Sequence, residues 1–166
     1  MINTFEDKNF LRYLNLPSIP NEYLEDVPSI IAGKDELDKF VGFFIDPYQI
    51  YPITGKLKEW LLSNIPIINP TILHIHVISG ELPIHKDYAR HFTMNYIIKT
   101  GGENILTLFL DDQHNLLKTY CIEPHRWHDF DGQINHTVVG PTKDNLRIAI
   151  TIGLMKRLGN EYSLSS

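Results

Sequence analysis

The pattern of hydrophobic and polar positions changes near residue 71. From there on, short runs of alternating apolar and polar residues are separated by turn-forming pairs such as Ser79-Gly80, Gly101-Gly102 and Gly140-Pro141. Alternation with a period of two is typical of strands that bury one face. It predicts strands at about 71–78, 83–87, 91–98, 104–110, 116–122, 126–130, 135–139 and 146–153. Short strands at this spacing favour a jelly roll or a small barrel-like sandwich, whose mouth has room for a small ligand and a metal.

The first 70 residues lack this regular alternation and are punctuated by prolines. The local pattern there predicts a short strand or helical turn at 10–16, a short helix at 21–27, a loop at 47–52 and a helix at 56–63. The fold class is therefore mainly β with N-terminal helices. We interpret the whole chain, 1–166, as one domain, in which 1–70 is helical or irregular support, 71–154 is the core and 155–166 is a tail.

Composition excludes several classes of function. The net charge is −5, with no basic cluster to neutralise phosphates, so we expect no nucleic acid partner. No apolar run approaches the ~18 residues that a membrane span needs, and the acidic N-terminal residues do not resemble a signal peptide. Cys121 is the only cysteine, which favours a reducing compartment. We expect a cytoplasmic protein.

The candidate chemistry lies in the second half of the chain, where all eight histidines occur between His74 and His136. His85 and Asp87 are two residues apart, so in an extended segment both side chains point the same way. His136 opens a later strand. Two imidazoles and one carboxylate on one side of a metal form the facial triad of non-haem Fe(II) oxygenases. The alternative is that these are three unrelated polar residues.

Arg147 opens the last predicted strand, where alternation places it on one face with Ala149 and Thr151. A face that also carries alanine and threonine is not an ordinary solvated face. An inward guanidinium requires an anionic partner, because burying an unpaired charge is costly. A carboxylate suits its fork-like donors, so the pattern predicts a carboxylate-bearing co-substrate. The alternative partner is an Asp or Glu of the chain itself.

Other polar positions lie on predicted strands beside these residues. His76, like His74, alternates with apolar residues on the first core strand and lines the pocket if that face is interior. Thr93 and Asn95 share a face, and we expect them to contact co-substrate or substrate. Arg90 is a further candidate for binding a substrate carboxylate.

The motif residues together resemble the 2-oxoglutarate/Fe(II)-dependent dioxygenases. His85-Lys-Asp87, His136 and Arg147-Ile-Ala-Ile-Thr151 are similar to the signatures of prolyl hydroxylase-like members. Further similar segments are Arg90-His-Phe-Thr93, the Gly101-Gly102 strand to Phe109, and the run from Glu123-Pro124 into His136. The resemblance covers roughly 70–154. The turns around Gly80 and before His136 also resemble the aspartyl/asparaginyl β-hydroxylases, which typically lack the Asp ligand present here.

The resemblance implies a double-stranded β-helix, the cupin-like form of the jelly roll. It implies that His85, Asp87 and His136 bind Fe(II) and that Arg147, with Thr151, binds 2-oxoglutarate. Dioxygen would then hydroxylate an amino-acid side chain, free or within a peptide. Two alternatives stay open: a cupin-type metal enzyme without 2-oxoglutarate, with His74 and His76 as its metal pair, and a non-catalytic jelly-roll binding module.

Overall fold

The computed structural model describes residues 10–33 and 47–156. Three helices lie within these ranges: α1 (Asn21–Leu24), α2 (Val27–Gly33) and α3 (Gly55–Asn64). The strands of the same ranges are β1 (Leu11–Tyr13), β2 (Tyr48–Pro52), β3 (Ile72–Ile78), β4 (Arg90–Lys99), β5 (Leu106–Leu110), β6 (Leu116–Tyr120), β7 (Trp127–Phe130), β8 (Asn135–Val139) and β9 (Arg147–Met155). The predicted mainly β class with helices near the N-terminus is confirmed.

The strands form two antiparallel sheets. The larger sheet has the order β1-β7-β4-β9-β3-β2, and the smaller has the order β6-β5-β8. The long strands β4 and β9 lie at the centre of the larger sheet and pair over most of their length. Side chains of the two sheets meet between them, for example where Arg147 of β9 reaches Thr107 of β5. We call the side of the larger sheet that faces the smaller one the inner face.

The opposite, outer face of the larger sheet carries the main hydrophobic core. Ile75 of β3 and Ile150 of β9 are fully buried there, and Leu57 and Leu61 of α3 pack on the same cluster. Fully burying such a side chain contributes about 1.5–3 kcal/mol each. Tyr96, which alternation assigns to packing rather than to the pocket, belongs to this cluster. The helices are therefore held by the apolar half of each strand's alternation.

The inner face carries the polar half of the same alternation. Residues directly opposite each other in antiparallel strands share a face. Asn95 of β4 lies opposite Thr151 of β9, and His76 of β3 lies opposite Ala149. His76, Asn95, Thr151 and Arg147 are all buried. The predicted pocket residues are therefore on one interior face, as the alternation on β9 predicts.

Three predicted elements differ from the structure. The segment 47–52, expected as a loop, is mostly strand β2, which pairs with β3 along the edge of the larger sheet. Proline is tolerated at the end of an edge strand, so Pro52 does not break it. The predicted strand 83–87 forms only an isolated bridge at His85. The short helix expected at 21–27 is two helices, α1 and α2.

Other boundaries agree closely with the sequence pattern, including α3 and the strands from β3 to β9. At 10–16, where a strand or helical turn was expected, the chain forms β1. The single-domain interpretation and its 1–70, 71–154 and 155–166 division stay predictions, and the tail from 157 onward lies outside the described residues. No helix in the described part of the chain is long and apolar enough to cross a membrane.

Candidate metal and co-substrate site

His85 and His136 are brought face to face by backbone pairing. Each donates its N–H to the other's carbonyl oxygen, at 3.0 and 2.9 Å, so the two residues lie directly opposite each other. Their rings are 4.4 Å apart between centroids. The side chain of His136 is 5% exposed, whereas that of His85 is 39% exposed. The pair therefore has a buried side and an open side.

Asp87 completes the predicted triad. Its carboxylate oxygens lie 4.0 Å from His85 Nε2 and 3.7 Å from His136 Nε2. One possible metal-ligand atom from each of the three residues lies within 4.8 Å of the other two. The Asp87 N–H donates to the carbonyl of Gly132 at 2.7 Å, and a Cβ at that glycine would stand 2.8 Å from Asp87 Cβ. Glycine at 132 therefore gives the ligand-bearing turn room to close on β8.

The hydrogen bonds of both imidazoles fit metal binding. Nδ1 of His85 is 2.8 Å from the Pro83 carbonyl, and Nδ1 of His136 is 2.9 Å from the Ile134 carbonyl. A carbonyl oxygen can only accept, so each Nδ1 carries the proton and each Nε2 keeps its lone pair. Burial, together with the neighbouring His85, lowers the pKa of His136 and favours its neutral form. Two neutral imidazoles and a carboxylate suit Fe(II).

Arg147 lies on the inner face, and no described residue compensates its charge. It is 7% exposed, and within the described residues its one side-chain hydrogen bond runs from Nη2 to Thr107 Oγ1, at 3.4 Å. Burial lowers the pKa of Arg147 to about 10, so the guanidinium is still charged at neutral pH. No Asp or Glu in the described ranges pairs with it, contrary to the alternative considered from sequence. A small anion would meet this demand.

Asn95, Thr151 and His76 add hydrogen-bonding groups to the same buried face of the larger sheet. The Thr151 hydroxyl donates to Asn95 Oδ1 at 2.8 Å, which leaves the Asn95 amide nitrogen to donate elsewhere. Asn95 Nδ2 and His76 Nε2 are buried, and neither has a partner among the described residues. Thr93 is buried two residues before Asn95 on β4, and its role stays a prediction. Two unpaired polar nitrogens on the same buried face as a buried guanidinium fit a carboxylate.

Three residues have contacts in the site that the sequence did not predict. Arg90, which we expect from the sequence to bind a substrate carboxylate, donates from Nη1 to Asp87 Oδ2 at 3.1 Å. Tyr48, expected in a loop, places its hydroxyl 2.7 Å from His76 Nδ1. His128 of β7 lies opposite Asn95 and is 1% exposed. Of the three contacts, only that of His128 could have been expected from the sequence, because His128 follows the core residue Trp127 in a predicted strand and so faces the opposite side.

A cavity of about 370 Å³ opens beside the triad. Asp87 and Arg90 form part of its wall, so a molecule held there would lie next to the predicted metal. The rest of its lining includes aromatic, cationic and acidic side chains, among them Phe10, Phe92, Phe130, Arg12, Lys156, Asp129 and Asp131. Arg12 and Asp129 pair with each other between the neighbouring strands β1 and β7.

Comparison with known proteins finds a similarity of fold. No protein-family model matches the chain, and no curated protein matches it. A solved structure of a prolyl hydroxylase from Trichoplax adhaerens, in complex with a hypoxia inducible factor oxygen degradation domain peptide fragment, is similar with a TM-score of 0.59. The similarity covers 90% of this chain and 84% of that one, at 16% sequence identity. It confirms the jelly-roll fold that the sequence resemblance implied.

We predict that His85→Ala and Asp87→Ala each abolish Fe(II) binding, because each removes one of three ligands. Anaerobic titration with Fe(II), followed by metal analysis of the desalted protein, measures this. His114→Ala is the matched control, since His114 is an exposed histidine in the turn between β5 and β6. Iron content in both ligand variants equal to that of the control would contradict the triad.

We predict that His128 makes the fold less stable as the pH falls below 6.5. Burial, together with the charge of Arg147, lowers its pKa to about 4. Between pH 6.5 and pH 4, the histidine is therefore protonated in the unfolded chain and neutral in the folded one. Linkage then removes about 2 kcal/mol of unfolding free energy between pH 7 and pH 5. Urea unfolding of His128→Gln should show a pH dependence smaller by this amount, whereas His114→Gln should match the unmodified protein.

Proposed function

We propose that this protein is an Fe(II)- and 2-oxoglutarate-dependent oxygenase that hydroxylates an amino-acid side chain, free or within a peptide. The observation that carries the proposal is a three-ligand group together with a buried guanidinium that has no acidic partner in the described ranges. A metal site alone fits many enzymes, and a buried arginine alone fits many cores. Their combination in one jelly roll fits a metal and a dicarboxylate used together.

His85, Asp87 and His136 would hold Fe(II) on one side and leave positions open for other ligands. When bound, the iron and 2-oxoglutarate together supply the activation of dioxygen, with succinate and CO2 as products and one oxygen atom inserted into a substrate C–H bond. The chain's own contribution is orientation. The Pro83 and Ile134 carbonyls fix the two imidazoles, and Arg90 holds the carboxylate of Asp87.

Arg147 would bind the carboxylate of 2-oxoglutarate that lies away from the metal. Its planar fork matches a carboxylate, and the buried surroundings strengthen the attraction by excluding water. The unpaired donors of Asn95 and His76 support an acceptor-rich ligand in the same region. Thr151 would act through Asn95, whose carbonyl oxygen it occupies.

The amino-acid substrate is supported by the cavity beside Asp87. Its walls carry both cations and carboxylates, which suit the charged ends or peptide groups of such a substrate. The similar prolyl hydroxylase was solved with a peptide fragment, which favours a substrate of this class. Cys121 is a free, exposed thiol, consistent with the cytoplasmic location that we also propose.

The alternative enzyme, a cupin-type metalloenzyme without 2-oxoglutarate, would use His74 and His76 as ligands. The structure supports it less well. Nδ1 of His76 is hydrogen-bonded to the Tyr48 hydroxyl. The three residues of the described chain that lie close enough together to bind one metal ion are His85, Asp87 and His136, which include neither histidine of this pair. A binding module that holds no metal is the second alternative, and metal content separates it from both enzymes.

The proposal is tested by anaerobic titration with Fe(II) and then 2-oxoglutarate. We expect the weak visible charge-transfer band of an iron-bound keto acid, followed by slow release of succinate when air is admitted without substrate. Asp87→Ala should show neither signal. Iron-loaded protein that yields no band and no succinate above the buffer level would overturn the 2-oxoglutarate assignment and favour the cupin-type alternative.

We predict that Arg147→Gln weakens 2-oxoglutarate binding by about 30-fold or more, because truncating one partner of a buried charge pair typically costs 2–5 kcal/mol. Affinity for Fe(II) should change less than threefold, since Arg147 contacts none of the three ligands in the described structure. Arg126→Gln is the control, because the side chain of that arginine is exposed and contacts Glu123 and the Tyr13 ring. Equal co-substrate affinity in Arg147→Gln and the control would remove Arg147 from this role.

A further inference from the structure

A continuous chain of hydrogen bonds connects the metal ligand Asp87 to the buried donor His76. Arg90 donates from Nη1 to Asp87 Oδ2 at 3.1 Å and from Nη2 to the Tyr48 hydroxyl at 3.4 Å. That hydroxyl lies 2.7 Å from His76 Nδ1. The guanidinium is largely buried, with 22% of its side chain exposed. One arginine therefore contacts the predicted metal site on one side and the predicted co-substrate site on the other.

The direction of these bonds determines which nitrogen of His76 carries the proton. A guanidinium only donates, so the Tyr48 oxygen acts as an acceptor toward Arg90. This favours the phenol as the donor toward Nδ1 of His76. An imidazole that accepts at Nδ1 carries its hydrogen on Nε2. Burial, followed by the charge of Arg90, holds the pKa of His76 well below its usual value, which is consistent with a neutral ring.

Thr151 connects the same chain to Asn95. Its hydroxyl is 3.2 Å from His76 Nδ1 and 2.8 Å from Asn95 Oδ1, but it has one hydrogen to donate. When the Tyr48 hydroxyl donates to His76 Nδ1, the Thr151 hydroxyl donates its one hydrogen to Asn95 Oδ1. The Asn95 amide is then held with its nitrogen as the unpaired donor. The Tyr48 hydroxyl thus orients two donors, one directly and one through Thr151.

We infer that Arg90 and Tyr48 are positioning residues, which fix His76 as the Nε2–H tautomer and hold Asn95 in register, so that both donate to a bound carboxylate. Arg90 simultaneously fixes the metal-binding carboxylate of Asp87. The identity of the carboxylate rests on the proposed function, whereas the tautomer does not. Electrostatic preorganisation of this kind spares the site from reorienting its donors when an anion binds.

The tautomer is tested by NMR of the metal-free protein with ¹⁵N-labelled histidine, since the two ring nitrogens have distinct shifts in each tautomer. His76→Gln identifies the signal. We expect the Nε2–H tautomer in the unmodified protein. The double variant Tyr48→Phe/Thr151→Val removes both hydroxyls that can donate to Nδ1, and we expect a mixture of tautomers there. Tyr51→Phe is the matched control, because that hydroxyl belongs to the same strand and contacts Gln49 instead.

A second measurement separates the two positioning residues through binding constants. With Mn(II) as a redox-inert probe and 2-oxoglutarate as ligand, Tyr48→Phe should weaken 2-oxoglutarate by about 2- to 12-fold, the range for one hydrogen bond, and leave Mn(II) affinity unchanged. Arg90→Gln should weaken both, because it also releases Asp87. The combined variant should lose less 2-oxoglutarate affinity than the product of the single losses, since the residues act in series.

The outcomes distinguish this inference from the proposed function. An Nδ1–H tautomer of His76 in the unmodified protein, or an unchanged tautomer in a folded double variant, would overturn the positioning role whatever the protein binds. So would losses from Arg90→Gln and Tyr48→Phe that multiply fully. Failure of the unmodified protein to bind 2-oxoglutarate, with the expected tautomer changes intact, would overturn the co-substrate and keep the hydrogen-bond chain. Thermal melting confirms that each variant is folded before it is scored.

Discussion

The organisation of the inner face depends on the burial of one uncompensated positive charge. The Arg147 guanidinium is removed from water, and no carboxylate in the described structure answers it. Leaving a buried cation unpaired costs several kcal/mol, so a chain that merely needed a core would gain by replacing it. The nitrogens of Asn95 and His76 that have no partner among the described residues add to the imbalance of the same face. The face is therefore complementary to an anion that the described chain does not itself contain.

The alternation of the central strands separates stability from chemistry. On β3, β4 and β9, one set of side chains forms the core beneath the helices, and the other set lines the inner face. The candidate metal ligands have a different support, because His85 and Asp87 lie in a connecting segment that is bonded to β8 and to Gly132. The candidate metal ligands and the polar inner face are therefore supported by different parts of the fold, and their relative position must be fixed by other contacts. Arg90, at the start of β4, has contacts with both regions.

The limits of sequence reasoning follow from the range of each interaction. Period-two alternation is local, so it placed Thr151 on the same face as Arg147, and His85 on the same side as Asp87, without knowledge of the fold. β2 was missed because flanking prolines are a local signal, whereas its pairing with β3 is not. Arg90 was assigned to substrate because nothing local indicates that its guanidinium turns back onto Asp87. His128 entered the site only through the pairing of β7 with β4.

The distribution of hydrogen-bond capacity distinguishes a ligand site from a polar core. In a polar core, buried donors and acceptors satisfy one another, since each unsatisfied group costs about 1–3 kcal/mol. Here the satisfied atoms are the ones that orient: Nδ1 of His85, of His136 and of His76, and Oδ1 of Asn95. The described atoms left over are acceptors at the triad and donors on the face that carries Arg147. A metal cation and a carboxylate have opposite needs, and the two groups of unused atoms match them separately.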